Sequence, residues 1–218
     1  MRKMKMLCVS LSLILLSGCG NVPIDKEAVA QLDNIKINPD VTYAEKAFNN
    51  NPSRALGLSA GALVGGAVGG AAAAGLSDSG TDERDEMTAI IQDRSRLDEV
   101  AIECFRNALN NDPYWGPKLN NMSGSPDATF HLEVTFYGFS SYNFLADGAE
   151  PVFGLTAVLN DNDGNELWRY YRGMTDRPDD LPRYSVEEFL TEISRYDDAA
   201  EAICSELISK HMASLNDR

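Results

Sequence analysis

A run without a single charge, GLSAGALVGGAVGGAAAAGL at 57–76, divides this 218-residue chain and limits how the rest can fold. Within it Gly57, Gly61, Gly65 and Gly69 recur at every fourth position, which places all four on one strip of a helix. Glycine costs about 1 kcal/mol relative to alanine in a helix, so the run is not stable as a lone helix in water. Residues outside the run must therefore supply the folded core.

Two interpretations of the glycine run stay open. Residues 55–77 are uncharged and would extend about 34 Å as a helix, which is long enough to cross a bilayer. Small residues at four-residue spacing let a second helix approach closely. The run resembles the glycine-zipper segments of outer-membrane lipoproteins and surface antigens, and this resemblance implies membrane insertion or a homo-oligomer. The alternative is a flexible Ala/Gly linker.

The N-terminus has the pattern of a secretory signal. Basic residues within 2–5 precede an uncharged stretch at 6–16 that is too short to span about 30 Å of hydrocarbon. Leu16-Ser17-Gly18-Cys19 then matches the lipobox of bacterial lipoproteins. That resemblance implies removal of residues 1–18 and lipidation of Cys19, which makes the membrane a partner of the mature chain. Gly20 stands where inner-membrane lipoproteins commonly carry Asp, so outer-membrane anchoring is expected.

Net charge excludes one class of partner. Removal of residues 1–18 leaves 16 Lys and Arg against 33 Asp and Glu, a formal charge of −17. Such a chain is repelled by phosphate backbones and by anionic head groups, so no nucleic acid is expected and the lipid must provide the anchoring. The 200 mature residues suffice for one ordinary domain with an extension.

Periodicity predicts an α+β domain over 77–218. Apolar residues recur at three- and four-residue intervals over roughly 82–110, as in a helix with one buried face. Residues 129–136 alternate between polar and apolar, as in a half-buried strand, and 152–159 are apolar almost throughout, as in a central strand. Asp163-Gly164 predicts a hairpin turn into a third antiparallel strand.

The chain ends in a second helical pattern. Ser185 stands three residues before Glu188, the arrangement of a capping box. The expected architecture is a small antiparallel or mixed sheet with two helices on one face, preceded by the Gly/Ala-rich helical segment. Residues 19–56 are expected to form an N-terminal tether with a short strand at 35–37. In element order, 127–214 looks like the periplasmic α+β domains of envelope lipoproteins, including the curli-secretion channel family and lipoprotein activators of peptidoglycan synthases; the resemblance transfers no functional residue.

Two cysteines besides Cys19 remain after maturation. Cys104 and Cys204 stand on separate helical patterns that could pack against each other. An exported chain meets oxidising conditions, where leftover cysteines often pair. A disulfide and two buried free thiols are both compatible with the sequence.

Residues suited to catalysis or metal binding form no recognisable constellation, so no enzyme activity, metal or cofactor is expected. His131 and His211 are the only histidines, and neither has ligands at metal-binding spacing; satisfied or solvated side chains are expected. Asp179-Asp180 and Asp197-Asp198 are expected on solvated surfaces. The acidic loop at 160–165 does not fit the ligand spacing of an EF-hand.

Aromatic residues in two loops, Tyr114-Trp115 and the run 142–145, either contact a protein partner or pack on their own domain, and the second is expected. The sequence as a whole predicts a non-enzymatic outer-membrane lipoprotein that acts as a structural or interaction component of the cell envelope and binds an unidentified envelope protein. The alternative is a monomeric periplasmic regulator or binding module with 57–76 as a spacer. An envelope hydrolase using a carboxylate pair is the third hypothesis.

Overall fold

A computed structural model describes residues 20–45, 47–50, 81–121, 124–140, 149–173, 178 and 180–217. Cys19 and the four glycines of the predicted zipper lie outside these ranges, as do the loop residues 142–145. In chain order the described elements are α1 (Lys26–Ala30), β1 (Ile35–Ile37), β2 (Thr42–Tyr43), β3 (Phe48–Asn50), α2 (Thr81–Arg94), α3 (Leu97–Asn111), α4 (Trp115–Leu119), β4 (Ala128–Ser140), β5 (Glu150–Asp161), β6 (Glu166–Arg172), α5 (Val186–Thr191) and α6 (Ile193–Leu215).

The sheet is mixed and is built around an antiparallel meander. β5 lies between β4 and β6 and is antiparallel to both. β1, β2 and β3 pair one after another, all parallel, with the other edge of β4. The α+β class and the three antiparallel strands are confirmed, and β5 is buried along most of its length as expected for a central strand.

Helices α3 and α6 cover one face of this meander and enclose the core. Phe105 of α3 meets Phe130 of β4 edge to face, with ring centroids 5.0 Å apart. Tyr196 of α6 is fully buried, and its hydroxyl donates to the Val152 carbonyl and accepts from the Gly138 amide. Buried tyrosine hydroxyls need such partners, so these bonds fix α6 in register with the sheet.

Each of the two predicted long helices is interrupted once. The helix expected over 82–110 is two helices, because the chain leaves helical geometry between Arg94 and Leu97. There the Asp197 carboxylate accepts a hydrogen bond from the Arg96 amide and so satisfies an N-terminal donor of α3. The C-terminal helix also divides, at Glu192. Its predicted capping box, Ser185 with Glu188, is confirmed.

Much of the predicted N-terminal tether belongs to the domain, which corrects the expected boundary. Val29, Leu32 and Ile35 are buried in the core, and β1 is part of the sheet, as the alternation at 35–37 indicates. A tether would be solvated, whereas these side chains lose nearly all contact with water. Hydrophobic burial therefore holds this stretch against the meander.

The acidic loop at 160–165 is a hairpin turn, as predicted. Asp161 accepts hydrogen bonds from the amides of Asp163 and Asn165, and Gly164 has a positive φ of 83°. The Asn165 side chain donates a hydrogen bond to the Asp161 carboxylate, which lowers the pKa of that carboxyl. The carboxylate thus closes the turn.

Candidate functional site

The described structure begins at Gly20, directly after the lipobox predicted at 16–19, and residues 21–25 form what we call the β6 seam. Val22 pairs with Arg169 through two backbone bonds of 2.8 and 3.1 Å. The Asp25 amide donates to the Leu167 carbonyl at 2.8 Å, and the Tyr171 amide donates to Asn21 Oδ1 at 2.8 Å. The chain therefore joins the exposed edge of β6 two residues after Cys19.

Packing adds to the hydrogen bonds of the β6 seam. Ile24 is only 7% exposed and belongs to the core cluster. Asp25 caps α1, because its carboxylate accepts from the Ala28 amide at 3.0 Å. Each of these hydrogen bonds contributes about 0.5–1.5 kcal/mol net, so the β6 seam is held by several modest interactions rather than one strong one.

An open groove of about 260 Å³ lies beside the β6 seam. Residues 21–24 and Lys26 line one side of it, and Ser214 and Asp217 line the other. The groove is small for a drug-sized ligand, and its walls bring no cluster of catalytic groups together. Its distinguishing property is that residues 21–24, which follow the predicted lipobox in the sequence, line it.

The segment that contains the glycine run leaves the fold after β3 and returns at α2. Asn50, the last residue of β3, pairs with Ser140, the last residue of β4. On the returning side, Thr88 Oγ1 of α2 accepts from the Ala47 amide at 3.0 Å, and both residues are buried. Both ends of the segment are thus held by the folded domain.

Cys104 of α3 and Cys204 of α6 form a disulfide in the structure, with Cα atoms 6.4 Å apart. Cys204 is fully buried. The bond joins the two helices that cover the sheet and closes a loop with a sequence separation of 100 residues. The geometry agrees with the disulfide interpretation of these cysteines, and both lie where α3 and α6 pack together.

The two histidines occupy different environments. His131 is exposed on β4, with Nδ1 3.3 Å from Asn38 Nδ2. His211 is fully buried, with Nδ1 3.1 Å from the Leu207 carbonyl and Nε2 3.1 Å from the Leu155 carbonyl. Burial lowers the pKa of His211, because the charged imidazolium would lose its hydration. His211 is therefore a core residue beneath β5 rather than a solvated one.

The prediction of a solvated Asp197 is wrong, whereas Asp198 is exposed as expected. Asp197 is 2% exposed, and Arg96 Nε approaches its Oδ2 at 3.7 Å in addition to the amide bond described above. Burial raises the pKa of the Asp197 carboxyl. Periodicity missed this role because the group capped by Asp197 is 101 residues away along the chain. Asp180 is exposed and Asp179 lies outside the described residues.

The aromatic pair in the first loop packs on its own domain, as expected. Trp115 is fully buried and its indole nitrogen donates to Asn216 Oδ1. The Tyr114 hydroxyl donates to the Val29 carbonyl at 3.0 Å. These contacts bind the loop to α1 and to the end of α6, so they do not form a surface for a partner.

Within the described ranges, no three or more His, Cys, Asp or Glu residues are grouped so that they could hold a metal ion. Among the helices the structure describes, none combines the length and the apolar character that crossing a membrane requires.

Comparison with known proteins gives distant structural similarity only. No protein-family model and no curated protein matches the sequence. The chain is similar to a PelC variant from Paraburkholderia phytofirmans solved as a dodecamer (TM-score 0.30, 11% identity, 80% of this chain and 86% of that one). It is also similar to a candidate lipoprotein from Caulobacter crescentus CB15 (TM-score 0.31, 12% identity, 56% of this chain and 88% of that one). A third similar structure is a Xanthomonas campestris protein of the DUF330 family (TM-score 0.36, 11% identity, 84% of this chain and 85% of that one). Similarity at this level assigns no activity, partner or assembly to the chain.

Proposed function

We propose that this chain is a lipoprotein of the bacterial outer membrane, anchored through Cys19, that acts as a non-enzymatic structural or interaction component of the cell envelope. The lipobox carries the proposal. The β6 seam supports it, because residues 21–25, which follow the predicted lipobox, pair with the edge of β6 and so begin the folded domain close to Cys19 in the sequence. The Cys104–Cys204 disulfide suits an exported protein, since such bonds persist in oxidising compartments.

Residues 57–76 are proposed to mediate self-association or membrane insertion. Their flanks support this role, because Asn50 on one side and α2 on the other are both held by the folded domain. Small-residue strips work by close helix contact, so bulky residues on the strip would abolish association.

A monomeric periplasmic regulator or binding module, with 57–76 as a spacer, is the second candidate. The observation that favours it is the low content of large apolar side chains in the run, which is dominated by glycine and alanine. The two candidates differ in oligomeric state and share the Cys19 anchor.

Anchoring is tested by fractionating cells and measuring the mass of the mature protein. Cleavage before Cys19 with added acyl chains, in the membrane fraction, is the expected result. Cys19→Ser should stay unprocessed or become soluble. Cys8→Ser, which alters a cysteine inside the signal itself, should behave as the parent does and is the matched control. A soluble, unacylated parent would contradict the proposal.

Self-association is tested by the mass of the lipoprotein in mild detergent. A defined oligomer is expected for the parent and a monomer for the double variant Gly61→Leu, Gly65→Leu. The double variant Ala60→Leu, Ala67→Leu also introduces two leucines, with one carbon less added at each site, away from the glycine strip and should remain oligomeric. A monomeric parent would remove the zipper role and leave the spacer.

A further inference from the structure

The β6 seam has an outer side that forms the edge of the sheet beyond β6. Val22 donates its amide to the Arg169 carbonyl and accepts from the Arg169 amide, so both of its backbone groups point toward β6. Asn21 and Pro23 are exposed, and within the described ranges no strand pairs with the side of the seam that faces away from β6. An open edge of this kind is a template on which a further strand can add.

Peptide geometry fixes the direction of the two backbone groups that flank Val22. A trans peptide places its C=O and its N–H on opposite sides, and no cis peptide occurs among the described residues. The Val22 amide points toward β6, so the Asn21 carbonyl points away from it. The Val22 carbonyl also points toward β6, so the nitrogen of Pro23 carries its substituent on the outer side.

These two outward groups are the ones that a second copy of the chain would use. In an antiparallel pair with a twofold axis at Val22, the carbonyl of residue 21 in each copy accepts from the amide of residue 23 in the other. Both hydrogen bonds of that pairing need an N–H at position 23. Proline has none, and its ring carbon Cδ takes the place of the hydrogen. The pairing therefore loses both bonds and meets a steric clash.

The opposite edge of the sheet carries protection of the same kind. β1, β2 and β3 contain only three, two and three residues. The exposed Lys36 lies within β1, and the exposed Pro39 lies between β1 and β2. Short strands, lysine and proline are features by which natural sheets avoid pairing edge to edge. Pro23 is the counterpart of these features on the β6 side.

We propose that Pro23 closes the β6 side of the sheet against strand addition by a second copy of this chain. Its position makes this compatible with the fold, because the nitrogen that lacks a hydrogen points away from β6 and no bond of the β6 seam is lost. Two copies that meet at this edge stay separate, and a homo-oligomer has to form through another surface. The inference depends neither on the lipid anchor nor on the glycine run.

The test restores an N–H at position 23. Pro23→Thr introduces a residue that favours strands, and Pro182→Thr makes the same exchange at an exposed proline outside the strands. The mass of each full-length protein in mild detergent is measured over a range of protein concentrations. Pro23→Thr should reach at least twice the mass of the parent as the concentration rises, whereas Pro182→Thr should match the parent at every concentration.

Amide exchange locates the new contact. The amide at position 23 of Pro23→Thr should exchange fast at low protein concentration and slowly at high concentration, because it becomes a hydrogen-bond donor between the two copies. Pro23→Val restores the same amide with a different side chain and should give the same two results.

Masses of Pro23→Thr and Pro23→Val that equal the mass of the parent at every concentration overturn the proposal. A higher mass with fast exchange at position 23 also overturns it, because the copies then meet at another surface. A rise in mass for Pro182→Thr equal to that for Pro23→Thr overturns it as well, since the loss of any exposed proline would then have the same effect.

Discussion

The two edges of the antiparallel meander are closed by the same N-terminal stretch, yet with very different strength. On β4, strands of three, two and three residues follow one another along the edge. On β6, one bridge between Val22 and Arg169 is supported by single bonds from Asn21 and Asp25. The β4 edge rests on three successive strands, whereas the β6 seam rests on these few hydrogen bonds and the buried Ile24, so the β6 seam is the weaker edge.

For the lipid anchor proposed at Cys19, this difference makes the β6 seam the part of the domain that sets the length of the tether. While it is closed, two residues separate Cys19 from the first contact at Asn21. If it opens as far as Val29, ten residues become free and span at most about 36 Å. Local opening of the weaker edge would thus lengthen the link between Cys19 and the domain without global unfolding.

The largest effect is expected from removing the disulfide that joins α3 and α6, the two helices that cover the sheet. The double variant Cys104→Ser, Cys204→Ser loses a disulfide that closes a loop with a sequence separation of 100 residues, so the free energy of unfolding should fall by about 4–5 kcal/mol. Urea unfolding followed by the fluorescence of the buried Trp115 and Trp168 measures this. Reduction of the parent should reproduce the loss; an unchanged midpoint would show that the bond does not form.

A smaller loss of stability is expected from a substitution in β1, which belongs to the stronger edge on β4. Ile35 is 1% exposed, and Ile35→Ala should lower the free energy of unfolding by about 2–4 kcal/mol, because it leaves a cavity between β1 and the core. The neighbouring Lys36 is exposed, and Lys36→Ala should leave the urea midpoint nearly unchanged. Equal effects of the two substitutions would contradict the assignment of β1 to the core.

A substitution in the β6 seam, the weaker edge, should change amide exchange only at that edge. Val22→Pro removes the amide that donates to the Arg169 carbonyl, a loss of about 0.5–1.5 kcal/mol. Amide exchange at Arg169 should accelerate while exchange in β4 and β5 is unaffected. Val22→Ala retains the amide and is the control. Accelerated exchange throughout the sheet would mean that the β6 seam is not a separate unit.

The smallest expected effect is a loss of stability in mild acid, which arises at His211 beside β6. The His211 ring packs 5.0 Å from the Tyr170 ring, and burial holds its pKa below the ordinary 6.5. Unfolded chains therefore bind a proton that the folded protein does not, and stability should decline as the pH falls below 6.5 toward the folded pKa. Urea midpoints at pH 7.5 and 6.0 measure the decline.

His211→Gln should flatten that pH dependence, although it also lowers stability at pH 7.5. His131→Gln should retain the decline, because His131 is exposed and is the only other histidine. A decline of the same size in all three proteins would show that other groups cause it.

Local patterns predicted the parts of the fold that depend on neighbouring residues. The alternation around Phe130, the Asp163-Gly164 turn and the Ser185 capping box each specify a conformation within a few residues, and each is present. The paired helices over one face follow from their apolar stripes. The sequence therefore predicted the α+β class and the strand order of the meander.

Contacts between distant residues were not predictable in the same way. Asp197 is an ordinary surface residue by periodicity, but it is buried where it caps the start of α3 by accepting from the Arg96 amide. The β6 seam depends on Asn21 reaching Tyr171, 150 residues away along the chain. No local pattern encodes that pairing, so the predicted tether extended over residues that are part of the domain.

Hydrogen exchange of the acylated protein in vesicles, followed at the amides of Val22, Asp25 and Tyr171, shows directly whether the β6 seam is closed. A closed β6 seam predicts exchange at all three that is slower than in an unstructured chain and faster than at the β4–β5 ladder. Exchange at the unstructured rate would contradict it, and the domain would then be joined to Cys19 by a flexible leader.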